Sequence, residues 1–144
     1  MPRALTLLIA IVLAACTPAA TSSPTVTAGP TGAAVTSPAA LAPTVSVAEA
    51  AALRDAGALI LDVREPDEWA AGHIPGATLI PLGELAGRLG ELPRDESIVV
   101  VCRSGNRSAQ GRDLLLGAGF PAVTSLDGGM TDWASAGMPT ETGG

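Results

Sequence analysis

The chain has 144 residues, with 8 basic side chains, all of them arginine, against 14 acidic ones and a net charge of −6. That acidic balance excludes a nucleic-acid binder, which neutralises phosphate with basic surface. Two cysteines and one histidine, His73, cannot supply a disulfide-stapled scaffold or the ligand set of a structural zinc site, so neither a metal nor an organic cofactor is expected.

Residues 1–15 read MPRALTLLIAIVLAA, with Arg3 followed by an apolar run from Ala4 to Ala15. A basic start and a short apolar stretch form a secretory signal, and the run is too short for an ordinary membrane span. Leu13-Ala14-Ala15-Cys16 matches the bacterial lipobox. That resemblance implies cleavage before Cys16 and a lipid on its sulfur. The protein would then be extracytoplasmic and held on the bilayer, at the cell membrane or at an outer membrane where one exists. A signal peptide with an incidental cysteine is the other reading. Residues 16–44 are rich in Thr, Ser, Pro, Ala and Gly and carry no charge. They cannot bury enough surface to offset ordering entropy and are expected to be an extended tether. A folded domain is expected over 45–140, with 141–144 a flexible tail.

Within that domain a short strand is expected near Val45. Ser46 and Glu49 form a capping box that opens a helix reaching Asp55. Leu59–Val63 reads as a strand covered on both faces. Pro66 suits a helix start, giving a short helix from Glu65 to Ala71. A strand over Ala77–Ile80, a helix over 83–90 and a central buried strand over Ser97–Val101 follow. Ser108–Leu116 reads as a helix, Ala122–Leu126 as the last strand, and Met130–Ala136 as a closing helix that packs Trp133. Short strands alternating with helices predict an α/β fold, with a mostly parallel sheet and helices on both faces. Ligands then gather beyond the carboxyl ends of the strands. Two such ends carry unusual residues: Asp62 to Arg64, and Cys102.

The run after Cys102 is Arg103-Ser104-Gly105-Asn106-Arg107-Ser108. A thiol at a strand end, in a loop whose amides face inward ahead of a helix, favours the thiolate and holds anions. Gly105 permits backbone angles that a side chain would obstruct. Arg103 and Arg107 are placed to bind or steer a small oxyanion. Two other readings are a buried structural cysteine and a cysteine phosphatase. The phosphatases place five residues between cysteine and arginine, whereas Cys102 and Arg107 are separated by four.

Cys102-Arg103-Ser104-Gly105-Asn106-Arg107-Ser108 resembles the active loop of the rhodanese domain family. Asp62-Val63-Arg64, Glu65-Pro66-Asp67-Glu68-Trp69, Gly72-His73-Ile74-Pro75-Gly76-Ala77, and Asp127-Gly128-Gly129 with Trp133 are similar to further family segments, in the family's order. The resemblance spans nearly all of 45–140 and implies a rhodanese-like fold of the small single-domain form. It implies a sulfurtransferase in which Cys102 takes the outer sulfur of a small anionic donor, thiosulfate, and passes it to a thiol or to cyanide. Arg103, Ser104, Gly105, Asn106, Arg107 and Ser108 would bind the donor. Asp62 and Arg64 would hold the active edge together, and His73 would support the fold. A carrier that holds a persulfide or sulfide for a membrane-associated partner is the competing function.

Overall fold

A computed structural model describes residues 40–144. The signal, the lipobox cysteine Cys16 and most of the expected tether lie outside the described residues. The elements are β1 (Thr44–Val45), α1 (Val47–Asp55), β2 (Leu59–Asp62), α2 (Pro66–Ala71), β3 (Thr78–Leu79), α3 (Leu82–Leu85), a 3-10 turn (Leu89–Glu91), β4 (Ile98–Val101), α4 (Asn106–Gly117), β5 (Val123–Leu126) and α5 (Gly129–Ser135).

All strand pairs are parallel, in the order β1-β5-β4-β2-β3. The winding direction reverses between β2 and β4, which opens a crevice at their carboxyl ends. All four residues of β4 are fully buried, because both faces of the central strand are covered. Val100 faces a core of Leu61, Ile80, Leu85, Leu115 and Phe120 on the α3 and α4 side. Val99 and Val101 face Ile60, Ile74, Leu126 and Trp133 on the α1 and α5 side. Alternation along one strand thus builds two cores. At Gly111 a Cβ would lie 3.1 Å from the Val100 side chain, so the missing side chain sets how closely α4 approaches the sheet.

Several boundaries differ from those expected. The segment over 83–90 is not one helix: α3 ends at Leu85 and a separate 3-10 turn begins at Leu89, with Gly87 and Gly90 weakening helix continuity. The fold begins before 45, since Thr44 pairs with Ser125 and the Pro43 carbonyl accepts from the Ser125 amide and the Arg112 guanidinium. Residues 141–144 are not a free tail. Glu141 and His73 exchange main-chain hydrogen bonds, and the Gly143 amide donates to the Ala70 carbonyl.

Candidate active site

β4 delivers Cys102 to the crevice, and the chain turns at once into α4. The helix begins at Asn106, two residues before the expected start, with Gly105 in the left-handed region as its cap (φ 97°). Ser108 is therefore inside the first turn. Its hydroxyl bonds back to the Gly105 carbonyl at 2.9 Å, as serines within helices do. The loop is correspondingly tight, so that the amides of Ser104, Gly105 and Ser108 face the sulfur.

The Cys102 side chain is buried. The Gly105 amide donates to Sγ at 3.1 Å, and the thiol lies 3.6 Å from Ser108 Oγ. Burial pushes the thiol pKa up, but it is outweighed by hydrogen bonds from the Ser108 hydroxyl and from the amides of Ser108, Ser104 and Gly105. The net shift is below the ordinary thiol value of 9.0. The positive end of the α4 dipole acts in the same direction. An anion on sulfur is thus solvated by fixed N–H and O–H donors.

The far side of the loop rests on the Asp127-Gly128-Gly129 turn. Met130 N–H donates to the Cys102 carbonyl at 2.8 Å, and Thr131 donates to the Arg103 carbonyl through its amide (3.1 Å) and its hydroxyl (2.9 Å). Gly129 has φ 59°, and a Cβ there would collide with the Cys102 carbonyl oxygen. No side chain fits between this turn and the active loop.

The two arginines expected at the mouth part company. Arg107 makes a two-pronged pair with Glu68 of α2, both N···O distances being 2.7 Å. Those hydrogen bonds hold the Glu68 carboxyl below its usual 4.5 and raise the Arg107 guanidinium further. Both side chains are partly exposed, which limits the energy of the pair to about 1 kcal/mol. Arg103 is exposed and makes no ion pair among the described residues.

Asp62 and Arg64, expected as supports of the active edge, pair directly: the Asp62 carboxylate accepts from the Arg64 main-chain amide at 3.0 Å and from its guanidinium at 2.7–3.0 Å, with both side chains buried. Two further guanidinium N–H groups donate to the carbonyls of Glu68 (3.1 Å) and Gly72 (2.8 Å). The pair therefore clamps α2, and α2 carries the Glu68 that holds Arg107. Glu68 was not among the expected site residues; its sequence signals are its place in the family-like segment Glu65–Trp69 and its position three residues after Glu65, whose amide it caps at 3.3 Å.

His73 stands apart from this chemistry. Its ring stacks on Trp69 at 3.5 Å, and its two nitrogens face the Trp69 carbonyl and the Glu141 carboxylate at 3.1 and 3.2 Å. Among the described residues no group of three His, Cys, Asp or Glu is placed to hold a metal ion.

A family model for the rhodanese-like domain matches residues 46–136. The thiosulfate sulfurtransferase GlpE of Pseudomonas entomophila is 41% identical over 86 residues, which are 60% of this chain and 78% of that protein. A putative sulfur carrier protein of Bacillus subtilis, YrkF, is 43% identical over 74 residues, 51% of this chain but 40% of that one. The crystal structure of a rhodanese-related protein from Thermoplasma volcanium superposes with a TM-score of 0.66 and 31% identity, covering 71% of this chain and all of that one.

Proposed function

The chain belongs to the rhodanese-like domain family, whose members include sulfurtransferases and sulfur carriers, and on that premise we propose that it moves the outer sulfur of thiosulfate to a thiophilic acceptor through Cys102. The observation that carries the reading is the convergence of loop amides and the Ser108 hydroxyl on one buried sulfur at the amino end of α4.

The Cys102 thiolate attacks the outer sulfur of thiosulfate. A sulfur–sulfur bond forms to Cys102 as the donor's own sulfur–sulfur bond breaks, and sulfite departs with the electron pair. Cys102 is left as a persulfide whose charge resides on the outer sulfur. The same donors that stabilise the thiolate suit that anion, because a dipole cradle needs no proton of its own to act. A thiolate or cyanide then attacks the outer sulfur and the Cys102 thiolate returns. No general base is required once the thiolate exists, consistent with His73 being engaged in packing. Arg103 steers the donor anion electrostatically, and Arg107 shapes the mouth through Glu68.

Intact mass spectrometry tests the chemistry. Thiosulfate is expected to add one sulfur atom, about 32 Da, which cyanide removes. An adduct that persists in Cys102→Ala, or no adduct in the wild type, overturns the reading. The carrier function is favoured instead if the sulfur loads once per chain without turnover.

Cys16 belongs to the same proposal as the point of attachment to a bilayer, on the strength of the lipobox and the uncharged segment behind it. Cys16→Ser is expected to move the protein from the membrane fraction while sulfur transfer at Cys102 continues. Unlabelled, cleaved wild-type protein in the soluble fraction, after feeding a tagged fatty acid, argues for an ordinary secreted enzyme.

A further inference from the structure

Behind Cys102 and Ser108 lies a buried hydroxyl, that of Ser125, which the sulfur-transfer steps do not use. Ser125 sits on β5 with 1% of its surface exposed, and its Oγ is 2.8 Å from Ser108 Oγ. Ser108 Oγ is thus met by three groups: Ser125 Oγ, the Gly105 carbonyl at 2.9 Å and Cys102 Sγ at 3.6 Å. A serine hydroxyl has one proton to give and two lone pairs to receive.

That inventory assigns the protons. Among the described residues, the Ser125 hydroxyl has Ser108 as its one side-chain partner, so its proton goes to Ser108 Oγ. When Cys102 is a thiol, its S–H takes the second lone pair and Ser108 gives its own proton to the Gly105 carbonyl. When Cys102 is a thiolate, the S–H is gone, and the strongest acceptor within reach of Ser108 is the sulfur anion. The Gly105 carbonyl can release the serine because it also accepts from the Ala109 amide at 3.1 Å. The Ser108 hydroxyl therefore turns while its oxygen stays anchored by Ser125. Donation into that oxygen also makes Ser108 a better donor.

We propose that Ser125 is a positioning residue for sulfur transfer: by donating to Ser108 Oγ it fixes that oxygen and leaves the Ser108 proton to the anionic sulfur of Cys102. Its purpose rests on the sulfur-transfer reading above, but its effect is readable on the thiol alone. The charges nearest the sulfur, Arg103 in the loop and Arg107 on α4 with Glu68 from α2, are unchanged by substitution at Ser125.

The experiment is the pH dependence of iodoacetamide alkylation at Cys102 in the full chain, read by peptide mass spectrometry. Ser125→Ala is expected to move the midpoint up by about 0.5–1 pH unit, the equivalent of one weakened hydrogen bond. Ser108→Ala moves it up as well, and the double variant moves it no further than Ser108→Ala does. A midpoint unmoved in folded Ser125→Ala, or a double-variant shift equal to the sum of the singles, overturns the proposal. If the alanine variant fails to fold, the wild-type protein decides by proton NMR. A Ser108 hydroxyl resonance that moves with Cys102 ionisation while the Ser125 one holds still supports the anchor, and the reverse refutes it. Sulfur loading from thiosulfate, measured beside the midpoint, separates the two ideas: a shifted midpoint without loading overturns the sulfur-transfer reading alone, and loading with an unshifted midpoint overturns the role of Ser125 alone.

Discussion

Gly129→Ala is expected to be the most damaging single-methyl change in the domain. An alanine held near φ 59° carries a left-handed penalty of about 1–2 kcal/mol. Its Cβ would collide with the Cys102 carbonyl oxygen and stand 2.8 Å from the carbonyl of Arg103. Restoring ordinary contact, 3.4 Å or more, requires a shift between two stretches of backbone that have no flexible end to give way. That movement carries the Met130 amide out of reach of Cys102 and loosens both Thr131 bonds to Arg103. At about 1 kcal/mol for each of two or three hydrogen bonds, the loss sums to about 3–5 kcal/mol. For a domain of this size that is a fall in melting temperature of about 15 °C or more. Gly137→Ala is the control, because Gly137 has φ 70° but nothing within 4 Å of a Cβ, so it bears only the same backbone penalty of about 1–2 kcal/mol. Thermal melts of the two variants side by side check the argument. If they melt within two or three degrees of each other, the close approach of the turn to the active loop is not what the glycine serves.

Four further outcomes are expected. The rate of Cys102 modification should rise with pH to a plateau whose midpoint lies below 9.0, since the folded thiol is depressed; the linked stability gain is complete above the unfolded thiol value and is lost as pH falls through the folded one, and alkylation profiles with denaturation at several pH values test both. Arg64→Ala should destabilise by about 3–5 kcal/mol, because it strands the buried Asp62 carboxylate, whereas replacing both residues with apolar ones should do less harm in urea titrations. Arg107→Ala and Glu68→Ala should each lower activity, and the double variant should be no worse than the more severe single, which steady-state kinetics will show. Arg103→Ala should raise KM for thiosulfate severalfold, with a weaker salt dependence and an unchanged melting curve, as expected of an exposed charge without an ion pair.

Local signals carried much of the architecture. The capping box at Ser46 and Glu49, Pro66 at the first turn of α2, the valine run of β4 and the buried Trp133 act within a few residues of themselves, so composition and spacing expose them. The start of α4 was misplaced for an equally local reason. Ser108 resembles an N-cap, but the cap position belongs to Gly105, and the serine turns its hydroxyl back along the helix. The pairings that assemble the site are of another kind. Arg107 meets Glu68 across 39 residues, Ser108 meets Ser125 across 17, and His73 meets Glu141 across 68. Such contacts follow from strand order and leave no period in the chain. Asp62 and Arg64 are close in sequence, but their pairing depends on where the strand stops. The strand ends at Asp62, and the turn that follows brings them together.

A parallel sheet gives the domain a front and a back. Every strand ascends toward the edge that carries Cys102, and β1 ascends with them. The backbone that enters β1 therefore approaches from the rear: Leu41 and Ala42 lie beside Ala52 and Leu53 in the later turns of α1, which descends away from the sulfur. A load on that entering segment pulls along the strand axis, so the β1–β5 hydrogen bonds meet it in shear, together, and not one after another. The point where the chain enters the sheet and the edge that carries Cys102 thus lie at opposite ends of the strands, so a pull on the one leaves the geometry of the other to the length of the sheet between them.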